Sequence, residues 1–337
     1  MKTFWPVSLL VLSMSATACG SETAELTETE SEAANTAAAV EAEGGPSTRM
    51  AALMQSSPAF APINETLPDY DLPDDAWRTV DQDNLLYIDT DHGRIILEMA
   101  PEFAPNHVAR MRELAGARFY DGLVFHRVID GFMAQAGGAR TNPAWSTDLP
   151  DMQAEFTTRR DPNTDPVVEI QDRMVNDRSD RRIAKAGFWN GFPIGTDPSV
   201  QAAITGDGRV SSWLLHCEGA AAMARTSNPD SAGSQFYITR GHAEHLNAQY
   251  TVWGRVRVGQ EAVNDISVGT MGENPGFQPD SIRLIRVGSD LPEDEQVTVE
   301  VADTNSDAFA AWLDTQRGSN GNLPDICEID IPVRIEE

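Results

Sequence analysis

The stretch Phe119-Tyr120-Asp121-Gly122-Leu123-Val124-Phe125-His126-Arg127-Val128-Ile129-Asp130-Gly131-Phe132-Met133-Ala134-Gln135-Ala136-Gly137-Gly138 decides how this chain is read. Two apolar runs, Leu123 to Ile129 and Phe132 to Ala136, flank Asp130-Gly131. That dipeptide tolerates the positive φ angles of a two-residue turn, so the stretch reads as a β-hairpin. Alternation places Phe125, Arg127 and Ile129 on one face of the first strand, with His126 and Val128 on the other. A guanidinium among aromatic and aliphatic neighbours is out of place unless its head reaches water, meets a carboxylate or is used. Gln135 and Met133 follow across the turn, setting a polar pair beside apolar surface.

The segments on either side carry the same strand character. Upstream, Leu85 to Asp89, a His92-Gly93 turn and Arg94 to Met99 predict a first hairpin. Pro105 then opens a helical pattern with Val108, Met111 and Leu114 on one face, closed by Gly116. Downstream, strands are expected at Ala220 to Ala224, Gln235 to Thr239, Tyr250 to Val256 and Ser281 to Val287, with a short helix around Glu261 to Ile266. The pattern is mainly β with two helices, which argues for a closed barrel or a sandwich. Residues 139–215 read as a long irregular insertion, a length that points to function or to an inserted subdomain. Its Trp189, Phe192 and Trp213 read as local core, with a partner-docking surface as the sharper alternative.

The chain has 337 residues, is 41% hydrophobic, and carries 52 Asp+Glu against 25 Lys+Arg for a formal charge of −27. The apolar fraction is enough for a proper core. The charge argues against nucleic acid and anionic membrane surfaces as partners, because both need clustered Lys/Arg. Residues 20–75 hold one base and twelve acids, and residues 288–337 hold two bases and thirteen acids. The segment between, residues 76–287, has a net charge of only −6. The acidity therefore belongs to the flanks. Residues 19–75, rich in Ala, Glu, Thr, Ser and Pro, read as a flexible acidic linker, with the apolar patches Met50 to Met54 and Phe60 to Ile63 as candidates to dock on the domain. Residues 288–337 read as an acidic C-terminal extension in which Asp307 to Gln316 looks helical.

Residues 1–18 read as an export signal: Lys2 supplies a minimal positive region, Val7 to Met14 is a short apolar run, and Ala16-Thr17-Ala18 supplies small residues. The triplet before Cys19 resembles the lipobox of bacterial lipoproteins, with Ala16 where that motif usually has Leu. The expectation is an exported protein, lipid-anchored through Cys19 to a bacterial membrane and facing the periplasm; the alternative is a soluble periplasmic form. Cys217 and Cys327 remain. In an oxidising compartment an even remainder points to a bridge, which would staple the extension to the domain; two separate buried thiols are the alternative.

The hairpin sequence closely resembles the signature of cyclophilin-type peptidyl-prolyl cis-trans isomerases. Met223-Ala224-Arg225-Thr226-Ser227-Asn228-Pro229-Asp230-Ser231-Ala232-Gly233-Ser234-Gln235-Phe236-Tyr237-Ile238 is similar to the family's second active-site segment in its bacterial form. Leu246-Asn247-Ala248-Gln249-Tyr250-Thr251-Val252-Trp253-Gly254-Arg255-Val256 fits the strand that closes the pocket. The resemblance covers residues 85–138 and 216–287 and implies a closed eight-stranded antiparallel barrel with two helices. It implies Arg127 as the catalytic donor, with Gln135 holding it and binding substrate backbone. Phe132, Met133, Tyr237 and Leu246 match the walls of the proline pocket; Ala224 and Gln235 match positions that contact the preceding residue. His126 precedes the arginine as in the family, and Tyr250 takes a position often held by His. Unfolded or flexible proline-containing polypeptides are the implied partners, with no cofactor. The alternative function is a proline-segment binding module or chaperone with incidental turnover.

One difficulty arises within the hairpin. A strict two-residue turn sends Gln135 to the face opposite Arg127, whereas the resemblance needs both at one site, so a bulge or wider loop is expected. Two residues depart from the family. Tyr237 stands where Phe is common, adding a hydroxyl that needs a partner, and His245 falls where some members carry a Trp associated with cyclosporin binding. No metal is expected: His242 and His245, even with Cys217, lack a fourth ligand at zinc spacing. No nucleophile elbow, phosphate-binding loop or dinucleotide fingerprint is present.

Overall fold

The computed structural model describes residues 60–138, 147–174 and 183–336. The expected signal segment, Cys19, most of the linker and the Met50 to Met54 patch lie outside the described residues. The chain falls into two units, Met1–Ser57 and Pro58–Glu337, and the described residues all belong to the second.

The first hairpin, β2 (Leu85–Thr90) and β3 (Gly93–Met99), follows the short strand β1 (Trp77–Thr79) and is apolar on both faces. Leu86, Ile88, Ile95 and Leu97 enter one core cluster, and Leu85, Tyr87 and Ile96 enter another. Near-continuous apolar runs of this kind mark strands covered on both sides. Helix α1 (Pro105–Gly116) comes next and buries Val108, Met111 and Leu114 as its spacing predicts. β4 (Arg127–Ile129) and β5 (Met133–Ala136) form the deciding hairpin.

The described residues of the insertion form regular strands rather than irregular chain. It contributes β6 (Thr158–Arg160), β7 (Val168–Met174), β8 (Ile183–Trp189), β9 (Phe192–Thr196) and β10 (Val210–Leu214), which form their own antiparallel sheet in the order β6-β10-β9-β8-β7. Asn190 and Gly191 turn β8 into β9 with φ of 46° and 77°, the left-handed pair that a two-residue primed turn requires. The chain then supplies β11 (Ala220–Met223), β12 (Phe236–Thr239), β13 (Val252–Val258), α2 (Gln260–Asp265), β14 (Gly269–Thr270) and β15 (Ile282–Val287). The extension adds β16 (Thr298–Ala302), α3 (Asp307–Thr315) and β17 (Val333–Glu336).

The central sheet has nine strands in the order β14-β4-β5-β12-β11-β13-β3-β2-β15. It curls around a core capped by α1 and by Ala262 and Val263 of α2. The closed eight-stranded barrel expected from sequence is thus replaced by an open, curled half-barrel. Its two sides are joined where the segments entering β4 and β15 touch: Val124 bridges Ser281, and Ile282 N donates to Leu123 O at 2.7 Å. Register shifts between Ala221 and Ala222 and between Val256 and Val258 are the irregularities that tighten such a curl.

The acidic extension is woven into the domain. β16 pairs with both β1 and β17, and Phe309 of α3 meets Phe188 of β8 edge-on at 5.9 Å. Phe60, Ile63, Leu67 and Leu72 also pack on this second cluster, so residues 60–75, read as linker, lie on the domain surface. Cys217 and Cys327 are bonded, S–S 2.07 Å, across 110 residues. The insertion is tied down by a buried charge cluster. Glu98 of β3 accepts from Arg78 at 2.8 Å and from Arg257 at 2.7 Å. Both arginines also donate to the β8–β9 turn, Arg78 to Asn190 O and Arg257 to Gly191 O.

Candidate active site

The deciding hairpin turns through three residues, not two. Ile129 pairs with Met133, Val128 with Ala134 and Arg127 with Gln135, while Phe132 N donates to Ile129 O at 3.1 Å. Gly131, at φ 62°, takes the positive φ at position i+2 of the turn that this hydrogen bond closes, where glycine is favoured. Cross-strand partners share a face, so this one extra residue brings Arg127, Met133 and Gln135 together. The predicted alternation fails upstream: Phe125 is fully buried in the sheet interior with Val128, on the side away from Arg127. The strand proper starts only at Arg127, and the irregular residues before it break the period of two.

Arg127 Nη1 donates to Gln135 Oε1 at 3.3 Å, and Gln135 Nε2 donates to Gln235 Oε1 at 2.9 Å. A guanidinium only donates, so Gln135 must turn its oxygen to Arg127 and its nitrogen to Gln235. Among the described residues, no carboxylate forms an ion pair with Arg127. The arginine head therefore stands at the cavity, held on one side by an amide.

That cavity, of about 200 Å³, is lined by Arg127, Phe132, Met133, Gln135, Ala224, Arg225, Tyr237, Leu246 and Tyr250. Eight of these nine are residues that the sequence singled out. Gln235 lines an adjoining cavity of similar volume, which Gln135, Ala224 and Arg225 share with Asp151 and Leu149 of the insertion. His126 lines neither; burial pushes its imidazole pKa down, leaving it neutral at pH 7 beside Gln235.

The apolar walls are continuous with the insertion. Met133, Tyr237, Phe103 and Val252 share one cluster with Trp189, Phe192 and Ile194, and the rings of Phe103 and Trp189 meet at 5.1 Å. Trp189 and Phe192 are thus buried core, as the sequence suggested, rather than a docking face, and they back the pocket. Trp213 belongs to the second cluster, under the extension.

Two participants escaped the sequence reading. Arg225 lies over the Tyr250 ring at 4.1 Å and donates to Gln249 O and Thr226 O, so it closes one side of the cavity as a fixed cation. Its only signal was its place directly after Ala224. His216 lies outside the cavity with its Nε2 3.0 Å from the Tyr237 hydroxyl. His245 lays its ring beside Phe132 at 5.6 Å.

Burial lowers the His216 pKa to about 4. Its folded value lies below the ordinary value of about 6.5, so the unfolded chain takes up the proton first as pH falls. Its contribution is complete above about pH 6.5 and is lost towards pH 4. Wild type is expected to lose about 2 kcal/mol more than His216→Leu between pH 7 and pH 5, measured by urea unfolding at both pH values. Equal losses would show that His216 does not titrate as described.

Comparison with known proteins gives a consistent picture. The family model for cyclophilin type peptidyl-prolyl cis-trans isomerase/CLD matches residues 85–288. A probable peptidyl-prolyl cis-trans isomerase of Brucella suis is 29% identical over 211 residues, covering 62% of this chain and 85% of that protein. Peptidyl-prolyl cis-trans isomerase B of Bacillus subtilis is 29% identical over 179 residues, 53% of this chain and 87% of its own length. Among solved structures, cyclophilin AquaCyp293 from Hirschia baltica superposes with a TM-score of 0.67 at 35% identity, covering 77% of this chain and 93% of that one.

Proposed function

The chain belongs to the cyclophilin-type peptidyl-prolyl cis-trans isomerase family, and on that premise we propose that Arg127 is the group that lowers the rotational barrier. An X-Pro bond rotates against a barrier of about 18–20 kcal/mol, because amide resonance is lost at the twisted state. There the prolyl nitrogen becomes pyramidal and gains a lone pair. A donor fixed beside it stabilises the twisted state more than the planar one, which is the condition for catalysis. No nucleophile is required, and a guanidinium is charged without tuning.

The observation that carries this reading is the Arg127–Gln135 hydrogen bond in a cavity that Phe132, Met133, Tyr237 and Leu246 also line. Phe132, Met133, Leu246 and Tyr237 would receive the prolyl ring. Gln135 would hold the arginine and, with Ala224 and Gln235, meet the backbone around the preceding residue. The substrates would be unfolded or flexible proline-containing polypeptides. A protease-coupled assay on a prolyl peptide tests this: catalytic amounts of the protein should accelerate the slow cis-to-trans phase. Binding of the peptide without acceleration would favour the module that only holds proline segments.

We further propose that the enzyme works in the bacterial envelope, anchored through Cys19. The lipobox-like triplet before Cys19 supports the anchor, and the Cys217–Cys327 bridge favours an oxidising compartment. Intact mass of membrane-fraction protein should include a lipid on Cys19; an unmodified cysteine there would remove the anchor.

A further inference from the structure

His216 is 1% exposed and lies between β10 and the bridged Cys217. Its ring stacks on that of Tyr237, 17° from parallel at 6.1 Å, with Nε2 3.0 Å from the phenol oxygen. On its other side, Nδ1 is 3.2 Å from Asn247 Oδ1, which also accepts from the His216 backbone N–H at 2.8 Å. Because that backbone group can only donate, the Asn247 atom facing it must be the oxygen. An amide oxygen only accepts, so Nδ1 carries the ring proton and Nε2 offers a lone pair. The Tyr237 hydroxyl therefore donates to His216. Tyr237 is 5% exposed, and its ring is part of the cavity wall. A phenol there without an acceptor would stay unsatisfied or draw water into the cavity.

We propose that His216 is a positioning residue of the isomerase site: by accepting the Tyr237 hydroxyl it turns the phenol's donor away from the cavity, so that Tyr237 offers a prolyl ring only the carbon of its ring. This rests on the reading that the Arg127–Tyr237 cavity takes the prolyl residue. His216 does not touch the reacting amide, so its influence falls on substrate binding rather than on the rotation itself. Asn247 acts one step further back, by fixing the tautomer.

The test is a steady-state comparison, on a prolyl peptide, of wild type, His216→Leu, Tyr237→Phe and the double variant, with Arg127→Ala as control. Urea unfolding of each confirms that it folds. His216→Leu is expected to raise KM about 5- to 30-fold, the cost of one buried donor left without an acceptor, with kcat within about twofold. In the Tyr237→Phe background the same change should move KM by less than about twofold, because no hydroxyl remains to be placed. His216→Gln, which retains an acceptor, should recover most of the lost KM. Should His216→Leu fail to fold, Asn247→Ala frees the tautomer and is expected to give the same background-dependent rise. Equal KM effects in both backgrounds, or a loss confined to kcat, would overturn the proposal. If Arg127→Ala matches wild type, the assignment of the site itself fails. A slow Arg127→Ala with background-independent His216 effects would sink this inference alone.

Discussion

Replacing Arg127 with alanine is expected to lower kcat/KM for a prolyl peptide by about 100- to 1,000-fold, the usual cost of deleting one fixed donor aimed at developing charge. The cavity would survive the change. Its walls are Phe132, Met133, Tyr237 and Leu246, and their cluster is backed by Trp189 and Phe192 from the insertion. The substitution removes the guanidinium that Gln135 holds at the cavity, while Arg225 stays engaged with Tyr250 and two backbone carbonyls. Arg225 is therefore not expected to replace it. Lysine at position 127 should restore little, because a single ammonium on a shorter stem cannot hold Gln135 and present further N–H groups in one plane. Steady-state kinetics on the three proteins checks this, and activity within about threefold of wild type in Arg127→Ala would refute it.

Removing the Cys217–Cys327 bridge with a double alanine substitution is expected to destabilise the domain by about 2–5 kcal/mol. The bridge closes a loop of 110 residues, so much of its effect falls on the unfolded chain. Both cysteines also sit in the second cluster with Phe309, Ile326 and Val299, where alanine leaves less to pack. The extension is held by β16 between β1 and β17 as well, so the variant is expected to fold, with a lower midpoint in urea. The unfolding midpoint of wild type should move toward that of the variant when a reductant is added. A midpoint unchanged by both treatments would contradict the expectation.

The portion of this architecture that sequence made legible is the portion governed by local chemistry. Helix α1 lies where Pro105 and Gly116 bound it; the residues of the cavity wall, dispersed along the chain, are nearly all ones that the family resemblance, rather than local chemistry, implied. What was missed depends on counting or on distance. Asp130-Gly131 alone points to a two-residue turn; the wider loop that the resemblance required is present, because the pairing of Ile129 with Met133 adds Phe132 to the loop and sets Gln135 opposite Arg127. One residue of register decides which side chains share a face. Phe125 was assigned to the arginine's face because alternation was extended past the true start of β4.

The insertion was harder. Its Asn190-Gly191 pair, flanked by Trp189 and Phe192, carried a hairpin signal that the long run of Pro, Gly and Asp obscured. Its docking behind the pocket depends on Glu98, Arg78 and Arg257, which are far apart in sequence and show no pattern until folded. His216 left no trace for the same reason: a lone histidine before a cysteine acquires meaning only when Tyr237 and Asn247 arrive beside it. The continuous apolar character of β2 and β3 did hold a clue. Strands with one solvated face alternate, so the run Leu85-Leu86-Tyr87-Ile88 required cover on its outer side, which the extension and the insertion provide.

The most direct test of the account separates binding from rotation in one sample. Exchange spectroscopy on an isotope-labelled Ala-Pro peptide reports both its affinity and its cis-trans rate in the presence of wild type or Arg127→Ala. If Arg127 acts on the twisted state, the variant will bind the peptide within about threefold of wild type while its catalysed exchange falls by about 100-fold or more. Exchange that persists in the variant, or that declines only as far as affinity declines, would contradict the assignment of Arg127.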